Sequence, residues 1–167
     1  MTVSVAEGFA SAVLHTGFTV SNLDRSVAWY CELLGLVEVR RFCNDKPYAR
    51  QIVGLEDAIL DVSFLGFAAP DGAEPVLFLE LIQYRHPVGE PSSAETNDPG
   101  IGHIALAVDD LRSLYERLSA RGARFVNPPT EIPEGSNKGG WACYLRDPDG
   151  ITIELLELAS KDESPAG

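Results

Sequence analysis

The strongest constraint on this chain is that it contains one short pattern twice. His15-Thr-Gly-Phe-Thr-Val20-Ser-Asn-Leu23 matches His103-Ile-Ala-Leu-Ala-Val108-Asp-Asp-Leu111, with His, Val and Leu at the same offsets, and each copy runs on into a helical pattern that ends near a glycine. A second pair of segments also matches. Leu77-Phe-Leu-Glu80-Leu-Ile stands beside Ile151-Thr-Ile-Glu154-Leu-Leu, each with one glutamate inside an apolar run. Both halves therefore read strand, helix, strand, strand, strand. A length of 167 residues suits one compact domain or two small modules sharing a core.

The local periods assign the boundaries. Residues 1–12 form an arm without a convincing period, and 13–84 form the first module. Its opening strand alternates over Val13 to Val20, with Val13, His15, Gly17 and Thr19 on one face and Leu14, Thr16, Phe18 and Val20 on the other. Ser21 or Asn22 caps a helix with apolar positions at Leu23, Val27, Tyr30, Leu33 and Leu34, and Gly35 ends it. Leu36 to Phe42 reads as a strand, and the basic pair Arg40 and Arg41 leads into an insertion over 43–58. There, Pro47 opens a short helix that covers a cleft. Strands over Ile59 to Phe67 and Pro75 to Tyr84 flank the turn sequence Ala69-Pro-Asp-Gly72.

Residues 85–101, rich in Pro, Ser, Gly and Asn, read as a linker, and 102–158 form the second module. It runs from strand His103 to Val108 through helix Asp110 to Arg121 and strand Ala123 to Val126. It closes on a hairpin of Trp141 to Leu145 and Ile151 to Leu158 around Asp147-Pro-Asp-Gly150. Between them Glu131 to Gly140 has three glycines and the makings of a lid. Residues 159–167 read as a disordered tail.

Charge and cysteine usage narrow the function classes. A net charge of −12 works against a nucleic-acid backbone or an anionic membrane face, so a small molecule is the expected partner. Cys31, Cys43 and Cys143 are odd in number and lack C-x-x-C spacing, which gives no support to a disulfide framework or a thiolate zinc site. The cytoplasm is the expected location, with no leader and no membrane span.

A carboxylate among leucines and isoleucines costs several kcal/mol to desolvate unless it is paired, protonated or bound to a metal. Taken singly, a histidine at a strand start is more often structural than a ligand, and a glutamate in an apolar strand often pairs with an arginine. Recurrence at matching places changes the balance. If the first and last strands of each half face one cleft, His15, Glu80, His103 and Glu154 converge there as two imidazoles and two carboxylates. With water or substrate oxygen completing an octahedron, that set suits Mn, Fe, Co or Ni, and Zn or Mg less exclusively. His86, beside Pro87 and without a repeating partner, reads as surface.

These residues, together with Asp147-Pro-Asp-Gly-Ile-Thr-Ile-Glu154, resemble the vicinal oxygen chelate superfamily, on its lactoylglutathione-lyase-like side. The superfamily takes in glyoxalase I, methylmalonyl-CoA epimerase, extradiol dioxygenases and bleomycin or fosfomycin resistance proteins. The resemblance covers about residues 13 to 158. It implies an α+β fold of two βαβββ modules forming a U-shaped mixed-sheet cleft around one divalent metal, with His15, Glu80, His103 and Glu154 on the ligand positions. It also implies a lyase or isomerase in which the metal stabilises an enediolate or enolate and Glu154, or else Glu80, takes the proton. A homodimer is the expected assembly. The alternatives are an Fe(II) extradiol-type dioxygenase, in which no carboxylate would generally stand at Glu80, and a metal-free binding or resistance protein.

Thr19 and Tyr84 stand where glyoxalase I commonly has an arginine serving the glutathione carboxylate and an asparagine. Tyr48 and Arg50 in the insertion, Tyr84 and Arg85 after the Glu80 strand, and Asn137, Lys138 and Trp141 beyond the second helix are the expected substrate contacts. Among them, the cations would suit a carboxylate or phosphate.

Overall fold

The computed structural model describes Ala10, residues 12–69 and residues 73–159. Most of the expected arm over 1–12, the Pro70-Asp-Gly72 turn and the expected tail beyond Ala159 therefore lie outside the described residues. The chain divides into two compact units, Met1–Gly89 and Glu90–Gly167.

The first unit runs β1 (Thr16–Thr19), α1 (Leu23–Leu34), β2 (Leu36–Asn44), α2 (Pro47–Val53), β3 (Ile59–Phe67) and β4 (Val76–His86). Its four-stranded sheet has the order β1-β4-β3-β2, with β1 parallel to β4 and the other pairs antiparallel. The second unit runs β5 (His103–Ala107), α3 (Leu111–Ala120), β6 (Arg124–Phe125), β7 (Thr130–Glu131), β8 (Trp141–Arg146) and β9 (Thr152–Glu157). Its sheet repeats the order as β5-β9-β8-β6, and the extra strand β7 pairs with β8. Mixed sheets with few helices place the fold in the α+β class.

Strand alternation divides each sheet into a helix face and an open face. Leu79 and Leu81 of β4 are buried on the face that packs against α1, while Glu80 and Ile82, which alternate with them, stay half-buried on the other. Ile153 and Leu155 of β9 repeat this against α3, with Glu154 between them. The helices supply Leu23, Val27 and Tyr30 in one unit and Leu111 and Leu118 in the other. Each large apolar side chain removed from water in this way contributes roughly 1.5–3 kcal/mol.

Both helices are tied to their sheets by the same device. The Asn22 side chain accepts a hydrogen bond from the Arg25 amide at 2.9 Å, and the Asp110 side chain accepts one from the Ser113 amide at 3.0 Å. The first helical amide then donates to a side chain three residues beyond each glutamate, Leu23 to Gln83 at 2.8 Å and Leu111 to Glu157 at 2.7 Å. These bonds satisfy amides that a helix start leaves without partners.

Several boundaries differ from the sequence expectation. β1 begins at Thr16, where its pairing with β4 starts; Val13 and Leu14 before it are 87% and 80% exposed and have no strand partner. β4 continues to His86, so Arg85 and His86 belong to a strand and not to the connecting segment. β6 shrinks to two residues. The Glu131 to Gly140 stretch is tied back on itself, with Ile132 and Gly139 exchanging hydrogen bonds with Gly140 and Ile132 carbonyls at 2.9 and 2.8 Å. The Asp147 to Gly150 turn closes as expected, with the Gly150 amide donating to the Asp147 carbonyl at 3.1 Å. Among the described residues no helix is long and apolar enough to cross a membrane.

Two predictions follow from the packing. A Cβ at Gly66 would stand 2.4 Å from the Val76 carbonyl oxygen, whereas one at Gly89 meets nothing within 4 Å. Gly66→Ala is expected to destabilise the protein by about 1–3 kcal/mol in denaturant unfolding, with Gly89→Ala close to wild type; equal midpoints would contradict this close strand approach. Burial pushes the Cys143 thiol up to about 11, and Cys43 is exposed. Desolvation, and then the neighbouring Asp61, also raises the Cys43 thiol, so access decides the contrast: iodoacetamide at pH 8 is expected to label Cys43 in the folded protein and Cys143 only after denaturation, as read by peptide mass spectrometry.

Candidate metal centre

The parallel pairing of β1 with β4 places Gly17 opposite Glu80, and that of β5 with β9 places Ala105 opposite Glu154. Small residues at these two positions leave room beside each carboxylate; a Cβ on Gly17 would sit 3.5 Å from Glu80 Oε2. Two residues before each stands the histidine. His15 Nε2 lies 3.2 Å from Glu80 Oε2, and His103 Nε2 lies 3.1 Å from Glu154 Oε2. The environments match too, with side-chain exposures of 42% and 19% in the first pair and 44% and 20% in the second.

An aromatic side chain completes each half-site as its third member. Phe64 pairs with Glu80 across β3 and β4 and sets its ring edge-on to His15 at 5.6 Å. Tyr144 pairs with Glu154 across β8 and β9, its ring 5.3 Å from that of His103. Desolvation, followed by the neighbouring Glu154 charge, raises the Tyr144 hydroxyl above the usual phenol range, which keeps it a neutral donor. Neither ring stood out in the sequence reading. Extending the repeat to Ser63-Phe64-Leu65 and Cys143-Tyr144-Leu145 would have exposed both.

The alternation also corrects the expected setting of the carboxylates. The leucines and isoleucines that flank Glu80 and Glu154 in sequence point to the opposite face, so neither glutamate is sealed in hydrocarbon. What singles out each glutamate is its proximity to a histidine. A neutral imidazole nitrogen and a carboxylate oxygen at this distance share either a proton or a cation. Adjacent donors on an octahedral divalent cation with bonds near 2.1 Å are about 3.0 Å apart, so both pairs fit two neighbouring ligand positions. Imidazole and carboxylate together suit Mn, Fe, Co, Ni or Zn. Among the described residues the donors come in twos; no group of three or more His, Cys, Asp or Glu gathers in one place.

The expected substrate contacts fall in different places. Tyr84 shares the open face with Glu80 and packs against the cluster of Ala58, Leu60, Val62 and Phe64, which Val53 of α2 also covers. Tyr48 is 58% exposed and its hydroxyl accepts from the Asn44 side chain at 3.0 Å. Arg50 donates to the Ala58 carbonyl at 3.3 Å, which ties α2 to the start of β3. Arg85 pairs with Asp61 at 3.4 Å, while Asn137 and Lys138 are exposed. Trp141 lies an odd number of residues from Tyr144, on the helix face, with the Arg112 guanidinium 4.8 Å from its ring centre. That placement directs it away from Glu154. His86 lies at the end of β4, exposed, 3.9 Å from Asp57.

Comparison with known proteins gives the same architecture a family. Residues 12–155 match the model of the Glyoxalase/Bleomycin resistance protein/Dioxygenase superfamily. A probable lactoylglutathione lyase of Synechocystis is 28% identical over 90% of this chain and 98% of its own length. A lactoylglutathione lyase of Neisseria meningitidis is 30% identical over 92% and 96%, and a 2-epi-5-epi-valiolone epimerase of Actinomyces is 29% identical over 89% and 80%. Some plant relatives are longer, and the chain spans about half of them, as with the 45% covered of Lactoylglutathione lyase GLX1 from Arabidopsis thaliana. A glyoxalase family protein of Bacillus cereus shares the fold with a TM-score of 0.76, covering 94% of this chain and all of that one at 23% identity. The chain belongs to the Glyoxalase/Bleomycin resistance protein/Dioxygenase superfamily.

Proposed function

We propose that this protein is a divalent-metal-dependent lyase or isomerase acting by proton transfer on a small oxygenated substrate. The observation that carries the reading is the twin geometry, two His–Glu pairs with the same atoms at the same spacing on the same face of two sheets. Relatives named as lactoylglutathione lyases and as an epimerase support an enzyme of the lyase or isomerase kind.

His15, Glu80, His103 and Glu154 would hold the cation, which supplies Lewis-acid stabilisation of negative charge developing on two adjacent substrate oxygens. The chain's own residues do the rest. Each histidine presents Nε2 to the open face, and Phe64 and Tyr144 fix the ring positions from the next strand. Glu154 has an aromatic hydroxyl as its cross-strand neighbour where Glu80 has a phenyl ring. That difference makes Glu154 the better-served proton acceptor, since a phenol can hydrogen-bond a carboxylate as it moves between roles. Glu80 is the alternative base.

Since each unit gathers two donors and no more among the described residues, we propose that the two kinds of half-site meet in a homodimer, with one copy contributing His15 and Glu80 and the other His103 and Glu154. Mixing His15→Ala protein with His103→Ala protein then restores metal binding that neither has alone, because one site of the mixed dimer carries both defects and the other carries none. No recovery would place the whole site within one chain.

The ligand assignment has its own test. Metal content by plasma mass spectrometry and substrate proton exchange in deuterated buffer are expected to fall at least about ten-fold in His103→Ala and Glu154→Gln, with His86→Ala unchanged. Equal metal and exchange in all three would overturn the assignment, and oxygen consumption in place of proton exchange would point to a dioxygenase.

A further inference from the structure

Arg40 and Arg41 are neighbours in sequence with opposite surroundings. Arg41 lies on the helix face, where it pairs with Glu38 at 2.6 Å and with Asp24. Arg40 lies on the open face, its guanidinium carbon 4.7 Å from the Phe64 ring centre and 5.3 Å from that of Phe42. Among the described residues no carboxylate pairs with it.

A β-bulge produces this arrangement. Glu38 pairs with Leu65, and the next paired residue is Arg40, opposite Phe64, so Val39 is an extra residue in β2. Without it, alternation would send Arg40 to the helix face and Arg41 to the open one. Bulges re-aim side chains in this way, often beside active sites. Here the bulge puts a cation in the same cross-strand row as Phe64 and Glu80. Because Phe64 also touches His15, the guanidinium and the imidazole are within about 10 Å, a gap that a small acid a few bonds long can bridge.

Stacking on an aromatic ring uses the face of a guanidinium and leaves its in-plane N–H groups free to grip a carboxylate in a fork. Among the described residues of the second unit no guanidinium stacks on Tyr144. Beside Tyr144 the corresponding position holds Val126, whose amide donates to the Tyr144 carbonyl at 2.7 Å. On a chain of net charge −12, an anionic ligand needs such a local cation to approach.

We propose that Arg40 docks a carboxylate of the substrate, so that the substrate is an acid whose adjacent oxygens lie at the His15–Glu80 half-site; this rests on the metal-site reading above. The test uses two hydroxamates of equal chain length, succinic acid monohydroxamate and butanehydroxamic acid, which offer the same pair of oxygens with and without a carboxylate tail. Calorimetry on nickel-loaded protein is expected to show the acid binding about ten-fold more tightly. Arg40→Met should abolish that preference while leaving butanehydroxamic acid binding unchanged, and Arg40→Lys should keep part of it. Arg41→Met should keep all of it, although it removes the same charge one residue away. A tail preference equal in wild type and Arg40→Met overturns the Arg40 assignment alone. Failure of wild type to bind either hydroxamate overturns the metal-site reading, and this proposal with it.

Discussion

Parallel pairing of the first and last strands of each unit is the constraint on which the rest of the structure depends. A parallel neighbour brings the beginning of one strand alongside the middle of the other, and in both sheets it sets the histidine end beside the glutamate. A slip of one residue would carry either side chain to the wrong face. The register is held by the buried side of the sheet, where Leu79, Leu81, Ile153 and Leu155 have no other place to go. The hydrophobic core therefore holds the register that aligns the polar site, although the two occupy opposite faces.

The helix attachments extend this logic. Gln83 and Glu157 each stand three residues after the open-face glutamate, hence on the helix face, and each accepts the first amide of the helix that follows β1 or β5. One short stretch of strand thus presents a carboxylate to one side and anchors a helix on the other. Such bonds are worth about 1 kcal/mol each, less than the apolar burial around them. Their contribution is direction, fixing where the helix starts relative to the sheet.

Much of this was legible in the sequence. The His-Val-Leu repeat and the paired glutamates depend only on spacing, and spacing along a strand translates directly into a face. The long central strand β3 and the helix α2 were legible for the same reason, since a run of β-branched and apolar residues and a Pro at a helix start carry their own signals. What stayed hidden depends on pairing between distant strands. The place of Phe64 and Tyr144 opposite the glutamates is a matter of register, and the Val39 bulge that separates Arg40 from Arg41 leaves no mark in composition or period. The place of Trp141 was hidden for a related reason. An aromatic near a loop suggests a pocket, yet parity within β8 sends it to the helix face.

The central proposal is that one divalent ion is held by the His15–Glu80 half-site of one copy together with the His103–Glu154 half-site of another. X-ray absorption at the nickel edge of nickel-loaded protein tests it most directly, because imidazole rings leave a distinct outer-shell signature. The account predicts a first shell of nitrogen and oxygen alone, at about 2.1 Å, with scattering from two imidazoles. A sulfur ligand, or the signature of a single imidazole, would contradict it.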